Sequence, residues 1–517
     1  MMKYDAPMAN LVTRPQPYVM DTTKEKKIRS VAIIGAGAAG AVTAAAFKAE
    51  RYFEQIRVFE RRERPGGTWI YDASPTASLP INPGALAPEV DPPLPIPANL
   101  PTTTPPNKQE RYAKTSIYDD LTTNVPSIAM SFSDLPFPYG PFCPHYIPQQ
   151  YIASYFSHHR TDTFLALNTT LENLSKLPPA LPGGLNRWKL TLRRHDSLQN
   201  IDSWWEEEFD AVILANGHYS VPYIPHVPGL KEYTLAFPNK IQHSKTYRSA
   251  YPYKDKRVLI IGNSASGHDL SISLLPVAAS PLYISRRSPS RWDGPLPPEG
   301  IVWKPTISSY NPHTGKITFS DGTHLDQTDI DAVIYCTGYQ PSFPFWNTAS
   351  NGRELWDYTQ GGRLVNNYQH TFLQDFPSLG LVGIPRVLTF RGFEYQAVAL
   401  ARYWVGRATL PSVEEQKAWE DKRLEKVGRE GKKFHDIPWE DGQTFAWLGW
   451  LYRFAGLGTL KGEGRRPPVL GEDVRWAVEN VRKYPVKLGR DGNEVTQEEE
   501  RDWVLVEGER KDLLAFI

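Results

Sequence analysis

The first strongly apolar run, Val31-Ala32-Ile33-Ile34, is entered through Arg29-Ser30 and stopped by Gly35. A short β-branched run bounded by glycine predicts a buried strand. The alanine-rich stretch from Ala38 to Glu50 predicts a helix on intrinsic propensity alone. From Gln55 to Glu60, Ile56 and Val58 alternate with polar neighbours, which predicts a second strand. Strand, helix and strand in such close succession open a doubly wound sheet. The pattern returns at Lys256: an apolar strand at 257–261, a glycine and serine turn at 262–267, a helix at 268–275 and a strand at 281–285. The two units begin 227 residues apart, at Gly35 and Gly262, and imply two nucleotide sites.

Between the units, Ser74 to Pro106 holds eleven prolines and two charged residues, Glu89 and Asp91. Such a segment is expected to form polyproline-II-like coil without helix or central strand. It reads as an insertion packed along the surface, with a docking ligand for a proline-binding module as the competing reading. The stretch Trp419 to Trp450 predicts helices whose tryptophans serve packing. Composition narrows the class: 58 Lys and Arg against 57 Asp and Glu leave a net charge of +1, so nucleic acid is a poor default partner. Two cysteines, Cys143 and Cys336, make neither a disulfide framework nor a four-cysteine zinc site. No metal site is expected. Neither end shows a secretory leader, and no run of 18 apolar residues occurs, so the expectation is a soluble, cytoplasmic protein.

The first turn, Gly35-Ala36-Gly37-Ala38-Ala39-Gly40, is a G-x-G-x-x-G between strand and helix. Gly35 makes the tight turn, Gly37 admits a pyrophosphate to the backbone, and Gly40 lets helix and strand pack closely. The helix N-terminus then offers N–H groups and a positive dipole end. Glu60, twenty residues past Gly40, ends the second strand where a carboxylate accepts ribose hydroxyls, with Arg61 directly after it. An acid there suits FAD or NAD. Gly66-Gly67-Thr68-Trp69 favours FAD, because adjacent glycines let the backbone pass a flat ring and Trp69 can wall it off; Gly67, Thr68 and Trp69 join the candidates. In the second turn, Gly262 and Gly267 frame Ser264 and Ser266, whose hydroxyls can donate to phosphate oxygens. The following strand ends in Ser285-Arg286-Arg287 in place of an acid. A guanidinium suits a phosphate, so Arg286 and Arg287 indicate a 2′-phosphorylated ribose and NADPH.

Further segments carry a resemblance. Phe237, His243, Ser244 and Tyr247 fit F-x-G-x-x-x-H-S-x-x-Y, with Asn239 at the glycine position. Leu214-Ala215-Asn216-Gly217, Thr337-Gly338-Tyr339, Thr123-Asn124-Val125-Pro126, Phe132-Ser133-Asp134-Leu135-Pro136-Phe137-Pro138 and Phe393-Glu394-Tyr395-Gln396-Ala397 complete a series. In number and order these resemble the flavin-containing monooxygenase family over most of the chain. The resemblance implies an α/β fold of two dinucleotide-binding, Rossmann-like domains, with the NADPH domain inserted into the FAD domain. The expected boundaries are 1–220 for the first part of the FAD domain, with 74–106 as its proline-rich insertion, 221–344 for the NADPH domain, and 345–517 for the second part with a C-terminal helical region. Thr337 and Gln396 are implied as cofactor contacts.

The resemblance further implies a cycle without a catalytic triad. NADPH reduces FAD, oxygen adds to give a flavin hydroperoxide, and a soft nucleophile of a small molecule, an amine nitrogen or a thioether sulfur, takes the distal oxygen. Asn124 is the implied catalytic residue: an amide can hold peroxide and nicotinamide without offering an acidic proton. His243 is expected to brace the linker between domains. The substrate pocket is expected among the loops around Asn124, the proline-rich segment and the Trp-rich region, and a homo-oligomer is compatible with the chain. Two other readings stand beside this one. A Baeyer–Villiger monooxygenase would carry tryptophan where Tyr247 stands; a non-catalytic flavin sensor or scaffold would use the proline-rich segment as its docking arm. A disulfide reductase needs paired cysteines, which Cys143 and Cys336 are not, the latter being expected inside a strand.

Overall fold

The computed structural model describes residues 28–75, 79–180, 182, 184–290, 293–359, 361–387, 389–439, 441–458, 463–483 and 503–505. The two chain ends read above for targeting signals lie outside the described residues. Strand β1 (Ser30–Ile34), helix α1 (Ala38–Ala49) and strand β2 (Gln55–Phe59) form the first unit. β1 and β2 pair in parallel, and β1 pairs in parallel on its other side with strand Ala211–Leu214. Every apolar residue of β1 is buried, as a strand covered on both faces requires. α1 is buried from Ala38 through Phe47, so its alanines answer a spatial need: small side chains let it lie between the sheet and a long C-terminal helix, α3 below.

The second unit repeats the first. Strand β3 (Val258–Ile261), helix α2 (Ala265–Leu274) and strand β4 (Leu282–Ser285) belong to a five-stranded sheet that is parallel throughout. The first sheet has seven strands. Its order runs Asn367–Tyr368, Phe372–Leu373, Leu379–Leu381, Ala211–Leu214, β1, β2, Leu165–Ala166. It therefore draws strands from before and after the second sheet, whose members all lie between Ile241 and Tyr335. One dinucleotide-binding module is thus inserted into the other. The chain passes between them through a two-stranded crossover, Val221–Pro222 antiparallel to Tyr339–Gln340.

The proline-rich segment departs from expectation. It contains a helical turn at Ala87–Val90, entered with Pro88 at a first-turn position where its missing N–H costs nothing, and a strand at Thr102–Thr104. That strand pairs with Ile201–Phe209 and is the edge of a four-stranded antiparallel sheet, the place in a sheet where neighbouring prolines are tolerated. The segment is bound down as a strap. Gly84 N–H donates to Ile224 O at 2.8 Å, Gln340 bonds both Ala85 and Ala87, and Asp91 accepts from Ser342 Oγ at 2.7 Å.

Helix α3 (Thr389–Trp404) packs on α1, with Phe47 edge-on to Trp404 at 5.5 Å; Ala397 and Ala401, on the same face of α3 as Trp404, are buried. The Trp-rich stretch forms helices Val413–Glu430 and Gln443–Phe454. Trp419 and Trp450 pack edge-on against Tyr368, and Trp419 and Trp447 lie against His370. His370 and His435 are buried with their Nδ1 atoms 2.9 Å apart. Because His435 Nε2 accepts the Leu364 N–H at 3.0 Å, its proton sits on Nδ1 and is donated to His370. Burial holds both imidazoles far below their usual pKa, and Arg423 adds repulsion to each.

Candidate active site: two nucleotide loops

The loops after β1 and β3 have the same construction. Gly35 N–H bonds Phe59 O at 2.8 Å, and Gly262 N–H bonds Ser285 O at 2.9 Å. Gly35 (φ 108°) lies so close to Ala215 O that a Cβ would approach it to 2.6 Å; Gly262 (φ 100°) stands in the same relation to Cys336 O, at 2.7 Å. A Cβ on Gly40 would sit 1.9 Å from Gly35 O, and one on Gly267 1.9 Å from Gly262 O. α1 and α2 begin at Gly37 and Ser264 with no side-chain cap and no acid in the first turn. Their first N–H groups are thus left for an anion, as a pyrophosphate site requires.

The residues ending β2 and β4 are also equivalent. Glu60 N–H bonds Ala166 O and Arg286 N–H bonds Lys304 O, each on the neighbouring parallel strand. Glu60 is buried; its Oε2 accepts Ala36 N–H and its Oε1 accepts Arg62 N–H, both at 2.8 Å. It lines a cavity of 230 Å³ together with Gly35, Arg61, Asp91, Asn216 and His218. Arg61 donates to the carbonyls of Arg111 and Tyr112 and to Ser220 Oγ. Asn216 Oδ1 and both ring nitrogens of His218 are buried there without a hydrogen-bond partner. Burial, with Arg386 nearby, pushes His218 down to about 3, so it faces the cavity as a neutral ring. Orphaned polar atoms around a carboxylate at the end of β2 fit the adenosine half of FAD. Gly67 (φ 56°) meets Gly37 backbone to backbone: a Cβ on Gly67 would approach the Gly37 Cα to 2.7 Å, so no side chain fits there. Thr68 and Trp69 follow in a short 3₁₀ turn, Thr68 exposed and Trp69 half-buried.

Two expected contacts are already engaged. Thr337 Oγ1 donates to Tyr223 O and ties the crossover. Gln396 is buried on α3, its Oε1 accepting Gly383 N–H at 3.0 Å and its Nε2 donating to Thr371 Oγ1 at 2.9 Å. It therefore fixes the turn that lies against Ala39 of α1. Asn239 adopts φ 65°, the left-handed backbone that asparagine tolerates in place of glycine. His243 accepts Lys245 N–H on Nδ1 and donates from Nε2 to Gly338 O at 3.0 Å, a carbonyl that also accepts Tyr223 N–H, so it ties the strand Ile241–His243 to the crossover. Burial pushes it down to about 3. On the second loop Arg287 is exposed, whereas Arg286 stacks over Trp303 and pairs with Asp293. No sequence signal marked Asp293 or the arginines Arg111 and Arg193 that also line the cavity, and His218 stood out only as part of the segment Leu214–Tyr219, without a role.

Asn124 is exposed, and among the described residues its amide has no hydrogen-bond partner. Its loop is pinned from the other side, Thr123 N–H to Cys143 O and Ser127 N–H to Pro141 O. Near its loop, Ile128, Tyr139, Trp476 and Val481 line a groove whose far wall is the helix Glu472–Asn480. Cys336 lies one residue beyond the strand Ala332–Tyr335 rather than inside it. Both cysteines are buried and unpaired, and burial pushes their thiols up to about 11 and about 12.

Among known proteins, a family profile described as flavin-binding monooxygenase-like matches residues 107–292, and one described as an NAD(P)-binding Rossmann-like domain matches residues 33–87. Flavin-containing monooxygenase iboF of Amanita muscaria is 29% identical over 82% of this chain and 88% of its own. Flavin-containing monooxygenase FMO GS-OX5 of Arabidopsis thaliana is 31% identical over 76% of this chain and 77% of its own. The solved structure of S-allyl-L-cysteine S-oxygenase from Allium sativum superposes with a TM-score of 0.65 at 27% identity, covering 86% of this chain and 90% of its own. Among the described residues, no helix is long and apolar enough to cross a membrane.

Proposed function

The chain belongs to the flavin-containing monooxygenase family and is an FAD-dependent monooxygenase; on that premise we propose that NADPH supplies its hydride and that it oxygenates a soft nucleophile, a thioether sulfur or an amine nitrogen, of a small molecule. One observation carries the reading: two loops of the same construction stand in one chain, the first closed by Glu60 and the second by Arg286 and Arg287. An acid suits a free ribose diol and a guanidinium pair suits a 2′-phosphate, so the two sites are adapted to different nucleotides. Relatives support the oxygenated atom: the Allium sativum neighbour is an S-allyl-L-cysteine S-oxygenase.

In this reading Gly35, Gly37 and Gly40 give the pyrophosphate of FAD access to the start of α1, and Glu60, held by two backbone N–H groups, receives the ribose hydroxyls. Gly67, Thr68 and Trp69, in the turn against Gly37, are the residues that would hold the flavin end of the cofactor. Gly262, Ser264, Ser266 and Gly267 do for the second pyrophosphate what the first loop does for FAD. FAD, when bound, supplies the hydride acceptor and the activation of oxygen. Asn124 contributes an amide that orients without titrating, on a loop fixed by Cys143 and Pro141. Thr337 and Gln396 act at one remove, through the crossover and the turn at Gly383. The buried, unpaired thiols offer no disulfide relay, in keeping with oxygen as the acceptor of electrons from the flavin in this family.

The test is the Asn124→Ala holoenzyme with a sulfide and an amine as substrates. NADPH oxidation is expected to continue at a rate within about threefold of wild type, while product per NADPH falls at least tenfold and hydrogen peroxide replaces it, the loss of a single oriented donor being worth roughly 2.7–4 kcal/mol in such sites. Unaltered coupling in the variant removes Asn124 from the reaction.

A further inference from the structure

The end of β4 is where the second nucleotide's ribose is read, and the structure places a carboxylate there. The Arg286 guanidinium lies 3.4 Å over the Trp303 ring, and its Nη1 donates to Asp293 Oδ2 at 2.7 Å. The same oxygen accepts Asn263 Nδ2 at 2.8 Å and Ser290 N–H at 2.8 Å. Asn263 belongs to the glycine loop itself, directly after Gly262. Donors from the glycine loop, from the strand end and from the return loop thus converge on a single anionic oxygen. Burial works to raise the Asp293 carboxyl, but hydrogen bonds from Ser290, Arg286 and Asn263 hold it below the usual range. It is 13% exposed, and Arg286 is 20% exposed, so the pair lies in a partly dry site where charges interact strongly.

A 2′-phosphate would need these same donors. It is an anion that a guanidinium fork and an amide N–H bind well, and it cannot share the Arg286 fork with a carboxylate at 2.7 Å without like-charge repulsion. A 2′-hydroxyl makes no such demand and can itself donate to a carboxylate, as ribose hydroxyls do at acid-terminated strands. Arg286 and Arg287 alone read as selection for the phosphorylated cofactor; Asp293 opposes that selection.

We propose that Asp293 is a specificity-determining residue of the second nucleotide site, its carboxylate standing in for the 2′-phosphate, so that NADPH must displace it from Arg286 while NADH binds with it in place. The protein accordingly selects NADPH over NADH less strongly than Arg286 and Arg287 alone would allow. This rests on the reading of the second loop as a nicotinamide nucleotide site.

The test is calorimetric titration of the FAD-loaded protein with NADP⁺ and with NAD⁺, for wild type, Asp293→Asn, Asp293→Ser and Arg286→Gln. Asparagine keeps the shape and acceptor of Asp293 while removing its charge, and serine removes the reach as well; thermal melting of each checks folding. Both Asp293 variants are expected to bind NADP⁺ about tenfold more tightly, with NAD⁺ unchanged or weakened, since removing an opposed like charge acts on the phosphate alone. In an Arg286→Gln background the same change is expected to shift NADP⁺ by less than about twofold, the pair being coupled. An unchanged ratio of the two dissociation constants, or weaker NADP⁺ binding in Asp293→Asn, overturns the proposal; the second outcome makes Asp293 an orienter of Arg286 for the phosphate. If wild type binds neither nucleotide, the reading of the site falls and the proposal falls with it, a result distinct from either.

Discussion

A carboxylate that is to receive two hydroxyls must be held still, and Glu60 is held by the N–H groups of Ala36 and Arg62, one on each oxygen. Its remaining lone pairs face the cavity. Glu60→Ala is therefore expected to weaken FAD binding by about 10–100-fold, the value of a charged hydrogen-bonding group at roughly 1.5–3 kcal/mol. Flavin retained per protein after dialysis measures it, and full retention would exclude Glu60 from the site. Glu60 was legible in the sequence because its place follows from counting twenty residues beyond Gly40 on a short β-α-β path. Gln396 and Thr337 were legible as residues but not as contacts. Their hydrogen-bond partners, Gly383, Thr371 and Tyr223, come from other segments, and spacing along the chain carries no trace of such pairings. Asp293 escaped for the same reason: only the folding back of the loop after β4 brings it to Arg286 and Asn263.

At the scale of elements, the helix-to-strand contacts of both units allow no side chain at the third glycine. A Cβ at Gly40 or Gly267 would lie 1.9 Å from a carbonyl oxygen of its own loop, so alanine forces helix and strand apart. Overpacking of this kind costs about 1–3 kcal/mol, and here it also displaces the phosphate-binding turn. Gly40→Ala is expected to yield protein without flavin. Gly267→Ala is expected to keep its flavin spectrum yet to be reduced by NADPH at least tenfold more slowly. Anaerobic reduction followed by absorbance separates the two; equal loss of flavin in both variants would mean that the loops are not independent. The strands and helices of both units were legible because each is set by local spacing. Most of the proline-rich strap is irregular, as its composition predicts, but its helical turn and edge strand were missed, since composition alone does not show that an edge of the sheet Thr169–Phe209 was open to receive Thr102–Thr104.

At the scale of the whole molecule, the insertion of one nucleotide module into the other followed from the order of motifs, but the core that holds the C-terminal part did not. His370 and His435 share one proton line: a second proton on His435 sets its Nε2–H against the Leu364 N–H, and one on His370 sets two Nδ1–H groups together. Both rings are thus neutral in the folded protein, while the unfolded chain takes up protons near pH 6.5. Their folded values being depressed, the stability they confer is complete above about pH 6.5 and is lost as pH falls below it, at roughly 2.7 kcal/mol per pH unit for two groups. Urea midpoints at pH 7.5 and 5.5 should differ by at least this much, since His218 and His243 are depressed in the same sense, and His435→Gln should make the dependence shallower; parallel curves would refute it. A wider consequence lies in the bare starts of α1 and α2. An uncapped helix forgoes about 1 kcal/mol, and in the reading proposed above the partner of the first N–H groups of α1 is FAD. Flavin at a hundred times its dissociation constant adds about 2.7 kcal/mol. The quantity of working enzyme in a cell is then governed by flavin supply as well as by synthesis: where flavin runs short the chain should be degraded faster, and its abundance should rise and fall with the vitamin from which FAD is made.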